Sequence, residues 1–210
     1  MARYAKPSQP VPAYDGFAGR DRSDRFSICL RALLAAEGGF NDIPQDRGGA
    51  TNFGISLRFL RAEAAINPRV RGLFPAGPID IADIRALTVE QAAKIYLWCF
   101  WVPAKCDALP ARIDHAVFDQ AVNAGVRTAG RLLQRAINAV ARPVGLPQIA
   151  EDGAIGLQTT AAAHRVHSPD LVAAFRRIAA DRYRGLVVAR PSQSVFLNGW
   201  LARAAKLGSV

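Results

Sequence analysis

Glu37 is the residue whose type and position most suggest chemistry. It follows Leu33 and Leu34 by four and three residues, so it continues the apolar face of a helix. It also falls in that helix's last turn, where the backbone dipole is negative. Partial burial and the dipole both disfavour a carboxylate, and a carboxyl that keeps its proton near neutral pH can act as a general acid. The alternative is a helix-end glutamate turned out to solvent. The segment that follows, 38–55, holds two Gly pairs, Gly38-Gly39 and Gly48-Gly49, around Asp42 and Asp46. Glycine permits the backbone turns that would fold such a loop back over the helix end. Asp46 and Thr51 would then face Glu37 across a cleft. Two carboxyls with a water between them suit an inverting glycosidase, at a separation of roughly 6.5–9.5 Å. The competing reading makes Asp42 and Asp46 turn residues with local backbone bonds, and it fits Asp42 better.

The elements that must position these groups are mainly helical. Phe26, Cys29, Leu30, Leu33 and Leu34 repeat at three-to-four spacing behind Ser23 and Asp24 as N-cap candidates. Gly38 and Gly39 would end that helix with a left-handed cap. The loop after it holds a small hairpin around Phe53-Gly54-Ile55. Ser56 caps a helix to Ile66, and 67–79 reads as a Pro/Gly loop. Thr88 and Gln91 make a capping box for a helix through Trp98. Further helices are expected at 111–123, 127–141, 157–166 and 169–189, the last with Ser168 as cap and Pro169 at its first position. A short final helix carries Trp200, Leu201 and Ala204. Residues 1–22 read as a flexible leader.

The 210-residue chain carries a net charge of +10, which attracts polyanions without choosing among nucleic acid, anionic lipid and bacterial wall. No zinc-finger, RNP or helix-turn-helix signature supports a nucleic-acid binder. No apolar run is long enough to span a membrane, and no secretory signal peptide is expected. Three cysteines, Cys29, Cys99 and Cys106, are too few for a disulfide framework and fit synthesis in a reducing cytoplasm.

Other residues carry two readings each. Tyr96 and Trp101, close to Trp98 and Phe100, either line a glycan cleft or belong to the core. Asp119 and Asn123, four apart on one helix face, either bind N-acetyl or peptide groups of a substrate or form a polar pair that satisfies backbone groups. Arg127, Arg131 and Arg135 form a basic stripe, more simply a solvated face. His164 with His167, and Cys99 and Cys106 with His115, lack the carboxylates or thiolates that would complete a zinc site, so no metal and no cofactor are expected. Asp152-Gly153 reads as a turn before a helix.

Taken together, Glu37-Gly38-Gly39-Phe40, then Asp46-Arg47-Gly48-Gly49-Ala50-Thr51, then Phe53-Gly54-Ile55 resemble the muramidases of glycoside hydrolase family 108. Ile95-Tyr96 with Phe100-Trp101, the run Phe118 to Gly125, Leu133-Gln134, Asp152 to Gly156, Thr159 and Gly199-Trp200-Leu201 extend the likeness over about residues 26–207. The resemblance implies a mainly α, lysozyme-like α+β fold: a helical bundle with a small irregular β-hairpin beside the glutamate. It implies a catalytic region at 23–110 and a helical peptidoglycan-binding region at 111–207. It implies N-acetylmuramidase activity with Glu37 as acid. The spacing is also similar to that of phage-type lysozymes, where an Asp and a Thr after the glutamate help place the attacking water, a role that falls here on Asp46 and Thr51. The family's usual Asn-Asp-Pro is replaced by Asn41-Asp42-Ile43-Pro44, which leaves Asp42 without an assigned role. The expected partner is bacterial peptidoglycan, met by a monomer in the periplasm or wall after export or holin-type release. The alternatives are a peptidoglycan-binding protein that has lost hydrolysis, and a lytic transglycosylase.

Overall fold

The computed structural model describes residues 23–36, 39–42 and 49–210, with side chains from Arg25. The chain divides into two compact units, Met1–Cys99 and Phe100–Val210. The division falls within a π-helical turn, Leu97–Trp101, that the helical periodicity did not anticipate.

In the first unit, α1 (Ser23–Ala36) buries Phe26, Cys29, Leu30, Leu33 and Leu34, the face the spacing predicts. Each such side chain contributes about 1.5–3 kcal/mol of transfer free energy. The expected caps fall on Ser23 and Asp24, whose side chains are not among those described, and on Gly38, which lies outside the described residues. Strands β1 (Thr51–Asn52) and β2 (Ile55–Ser56) pair antiparallel, with Thr51 opposite Ser56 and Asn52 opposite Ile55. The two-residue loop has positive φ at both Phe53 (49°) and Gly54 (77°), the twist that hairpins favour.

Ser56 caps α2 (Leu57–Ile66) by accepting from the Phe59 amide at 3.2 Å. The segment expected as loop contains α3 (Pro68–Arg71), started by Asn67 as cap and Pro68 inside the first turn. Next comes α4 (Ile81–Arg85), opened by an Asp80–Asp83 capping box. Both carried legible start signals that the dominance of Pro and Gly obscured. The Thr88–Gln91 box opens α5 (Val89–Tyr96) as the sequence predicts.

The second unit is helical throughout. Helices α6 (Ile113–Ala124), α7 (Val126–Ala141), α8 (Leu157–Arg165), α9 (Ser168–Ala189) and α10 (Leu197–Lys206) follow the expected spans. The cap of α9 is His167, not Ser168, and it makes no side-chain capping bond. A 3₁₀ turn, Pro191–Phe196, precedes α10. Helix α6 is buried along nearly its whole length and packs with α7 and α9 around Phe118, Leu133, Ile137 and Phe175. The chain end is tied down: the Gly208 amide donates to His115 Nδ1 at 3.0 Å. Arg112 and Arg176 donate to the carbonyls of Gly208 and Leu207 at 2.8 and 2.7 Å.

Candidate active site

Glu37 and Asp46 lie outside the described residues, and the groups that flank them set the frame of the site. Helix α1 ends at Ala36, immediately before Glu37. Asn41 and Thr51 then exchange both backbone hydrogen bonds at 2.8 Å. The two ends of the segment that carries Asp46 are therefore held side by side. Gly49, at φ 72°, supplies the left-handed turn into β1.

Thr51 is half-buried, and its hydroxyl donates to the Gly49 carbonyl at 3.2 Å. A hydroxyl has one donor and two acceptor sites, so its lone pairs stay available to accept from water. Its neighbour Asn52 is buried and donates through Nδ2 to the Ile84 carbonyl at 3.0 Å. That bond anchors the hairpin on the end of α4. Sequence reasoning passed over Asn52, although a polar residue between Thr51 and the apolar Phe53-Gly54-Ile55 was the available signal. On the other flank Arg85 lies 4.8 Å from the centroid of Phe40, a cation–π contact at the mouth of the segment.

Tyr96 corrects one assignment. It is 1% exposed, and its hydroxyl donates to the Phe53 carbonyl at 2.7 Å. A ring so enclosed has no face for a sugar. It holds the strained Phe53 corner, whose positive φ costs a non-glycine residue about 1–2 kcal/mol. Trp101 is corrected likewise. It is fully buried, meets Phe118 edge to face at 5.4 Å and donates from its indole to Asp107 at 2.9 Å.

Asp119 also proves internal. Its carboxylate receives Arg203 Nε at 3.0 Å on both oxygens, and Gln120 Nε2 at 3.2 Å. Acceptor sites so occupied inside the second unit leave it the structural role of the two foreseen. Asn123 donates to the Asp119 carbonyl at 2.8 Å and is itself exposed.

The remaining ionisable groups offer no nucleophile or metal cage among the described residues. Burial, then the Glu63 charge and hydrogen bond, push the Cys99 thiol up to about 12, so it stays protonated and unreactive at neutral pH. Cys29 and Cys106 are buried thiols. Among the described residues no three His, Cys, Asp or Glu side chains converge. His164 contacts the Ala108 carbonyl and His167 pairs with Asp170, each at 3.1 Å. Asp152 sits below the usual carboxylate range, because Gln134 and then the Ala154 amide donate to it. A carboxyl stabilised as its anion is a poor general acid.

Comparison with known proteins agrees with this layout. Residues 30–125 match glycosyl hydrolase 108, and residues 128–205 match a predicted peptidoglycan domain. The structure of Brucella abortus SagA is similar, with a TM-score of 0.68 and 29% identity over 89% of this chain and 93% of that one. No curated protein matches the chain. Fold and matched regions define a glycoside hydrolase directed at peptidoglycan, of the lysozyme-like α+β class. The region 30–125 is thus of the glycosyl hydrolase 108 type, and a peptidoglycan-binding region follows it toward the C-terminus. No helix among the described residues is long and apolar enough to cross a membrane.

Proposed function

We propose that the protein is an N-acetylmuramidase that cleaves the β-1,4 bond between MurNAc and GlcNAc in peptidoglycan. Glu37 in its protonated form gives its proton to the glycosidic oxygen. Asp46 and Thr51 hold a water for attack on the opposite face of the sugar. Developing positive charge on the ring is stabilised by the carboxylate. The observation that carries this reading is the Asn41–Thr51 pairing. It returns Thr51 to a position four residues beyond Glu37 in the folded chain, with hydroxyl lone pairs free to accept from water. The buried face of α1, which fixes the direction in which the chain enters Glu37, supports it further. The 23–110 and 111–207 regions then divide the work between hydrolysis and wall binding. The enzyme acts as a monomer in the periplasm or wall, after export or holin-type release.

The test is mass spectrometry of purified peptidoglycan digested by the wild type and by Glu37→Gln. The wild type is expected to release muropeptides with reducing MurNAc ends, and the variant none. Anhydro-muramic ends would make it a transglycosylase instead, and intact walls after wild-type treatment would leave only a binding protein.

A further inference from the structure

Phe196, Trp200, Arg203, Ala204 and Leu207 are spaced i, i+4, i+7, i+8 and i+11, so they share one face of α10 and the turn before it. That face is covered at one end only. Leu207 and Ala204 are each 1% exposed, Trp200 is half-buried, and Phe196 is 56% exposed. Its rings form a series. Trp200 stacks on buried Tyr183 at 5.4 Å and 27°, and Phe196 stacks on Trp200 at 5.8 Å and 28°. The inner end is fixed, because the Tyr183 hydroxyl accepts from buried Gln120 at 3.0 Å and Arg203 is locked on Asp119. The outer end stands in solvent beside Val195, 77% exposed, on a 3₁₀ turn that packs against α9, whose last turns carry the largely exposed Val188.

An anchored row of rings left open at one end marks a contact surface rather than core. Its size limits the occupant. One half-exposed Phe and its exposed chain neighbour Val195 offer on the order of 200 Å², short of the roughly 800 Å² per partner of a stable protein interface. A narrow ligand with a flat apolar face fits instead. A pyranose has such a face of C–H groups, with its polar groups at the rim. Both rings lie within the region that matches a peptidoglycan domain. We propose that Phe196, backed by Trp200, is a stacking platform for a sugar ring of the peptidoglycan glycan strand, a wall contact separate in sequence from the Glu37 segment. The proposal rests on peptidoglycan as the partner and makes the glycan, not the stem peptide, the part grasped here.

The experiment is co-sedimentation of the full chain with purified, protein-free sacculi on ice, with Phe196→Ala, Phe196→Leu and Phe196→Trp beside the wild type. The Ala and Leu variants are expected to bind about tenfold more weakly, equivalent to about 1.4 kcal/mol. The Trp variant is expected to stay within about twofold of the wild type. Chitotetraose should displace the wild type and free stem peptide should not. Leucine keeps the apolar bulk without the ring, so its binding is decisive even where alanine perturbs the fold. Unchanged binding by Phe196→Leu, or displacement by stem peptide alone, overturns the proposal. A change in the sedimentation-velocity mass of Phe196→Ala would make the patch a self-association surface and overturn it too. Hydrolysis is read separately: a wild type that binds sacculi through Phe196 but cuts nothing sinks the enzymatic reading and leaves this one standing.

Discussion

Two segments of this chain that mix acids with glycine are held differently at their described residues. One runs from Glu37 to Thr51, the other from Ile149 to Leu157. The second is clamped by amides from α7. Gln134 donates to Asp152 and to the Ala154 carbonyl at 2.8 and 3.0 Å, and accepts from the Gly153 amide at 2.7 Å. One turn on, Asn138 both donates to and accepts from the Ile149 backbone at 2.9 Å. The approach is so close that a methyl on Gly130 would collide with the Gly153 carbonyl. In the first segment the described bonds are backbone pairs at its ends, and the Thr51 hydroxyl bonds within its own turn. An acid whose lone pairs are consumed by neighbouring donors is architecture, whatever motif surrounds it. The proposed acid belongs in the segment whose described anchors, at Asn41 and Thr51, are backbone bonds.

The two segments are expected to differ most at Glu37. Glu37→Gln is expected to melt as the wild type and to lose peptidoglycan turnover by about 10³-fold or more, since general-acid and charge-stabilising contributions disappear together. Measurable turnover near the wild-type rate would remove Glu37 from the role. In the clamped segment the loss should be stability instead. Gly130→Ala is expected to cost about 2–3 kcal/mol through forced separation of α7 from the Gly153 turn, a fall of roughly 4–10 °C in Tm. A melting curve that superimposes on the wild type would show the contact to be slack.

Asp46→Asn should lower turnover by about tenfold to a hundredfold, less than Glu37→Gln if Thr51 partly holds the water. Rates equal to wild type would make Asp46 a turn residue like Asp152. The smallest effect is expected at Asp152 itself. Its folded pKa is depressed, so its contribution to stability is fully present above the ordinary carboxylate value and is lost as pH falls through the folded one. The Tm gap between wild type and Asp152→Ala should therefore be constant from pH 7 to about pH 5 and close below about pH 4. A gap that widens in acid would contradict the Gln134–Asp152 bond.

Much of the fold was legible because it is local. The buried stripe of α1, the Ser56 cap and the Thr88–Gln91 box depend on residues within one or two turns of each other. Helices α6 to α10 followed from apolar periodicity in the same way. The π-turn at Leu97–Trp101 escaped because it preserves helical composition while changing only the hydrogen-bond step. Residue types at the candidate site, Glu37, Asp46 and Thr51, were also chosen by sequence, through spacing and glycine content.

Which aromatics and acids face solvent was decided in three dimensions. Tyr96 and Trp101 had the chemistry for a sugar platform, and packing enclosed them. Phe196 and Trp200 had the same chemistry at the short final helix, and packing left their row open. Asp119 was a plausible ligand until Arg203, 84 residues away, took both of its oxygens. Spacing along the chain reports a side chain's neighbours within a few turns. Exposure and the partner of a carboxylate are set by whichever distant segment arrives beside it, and only the tertiary structure brings that segment in.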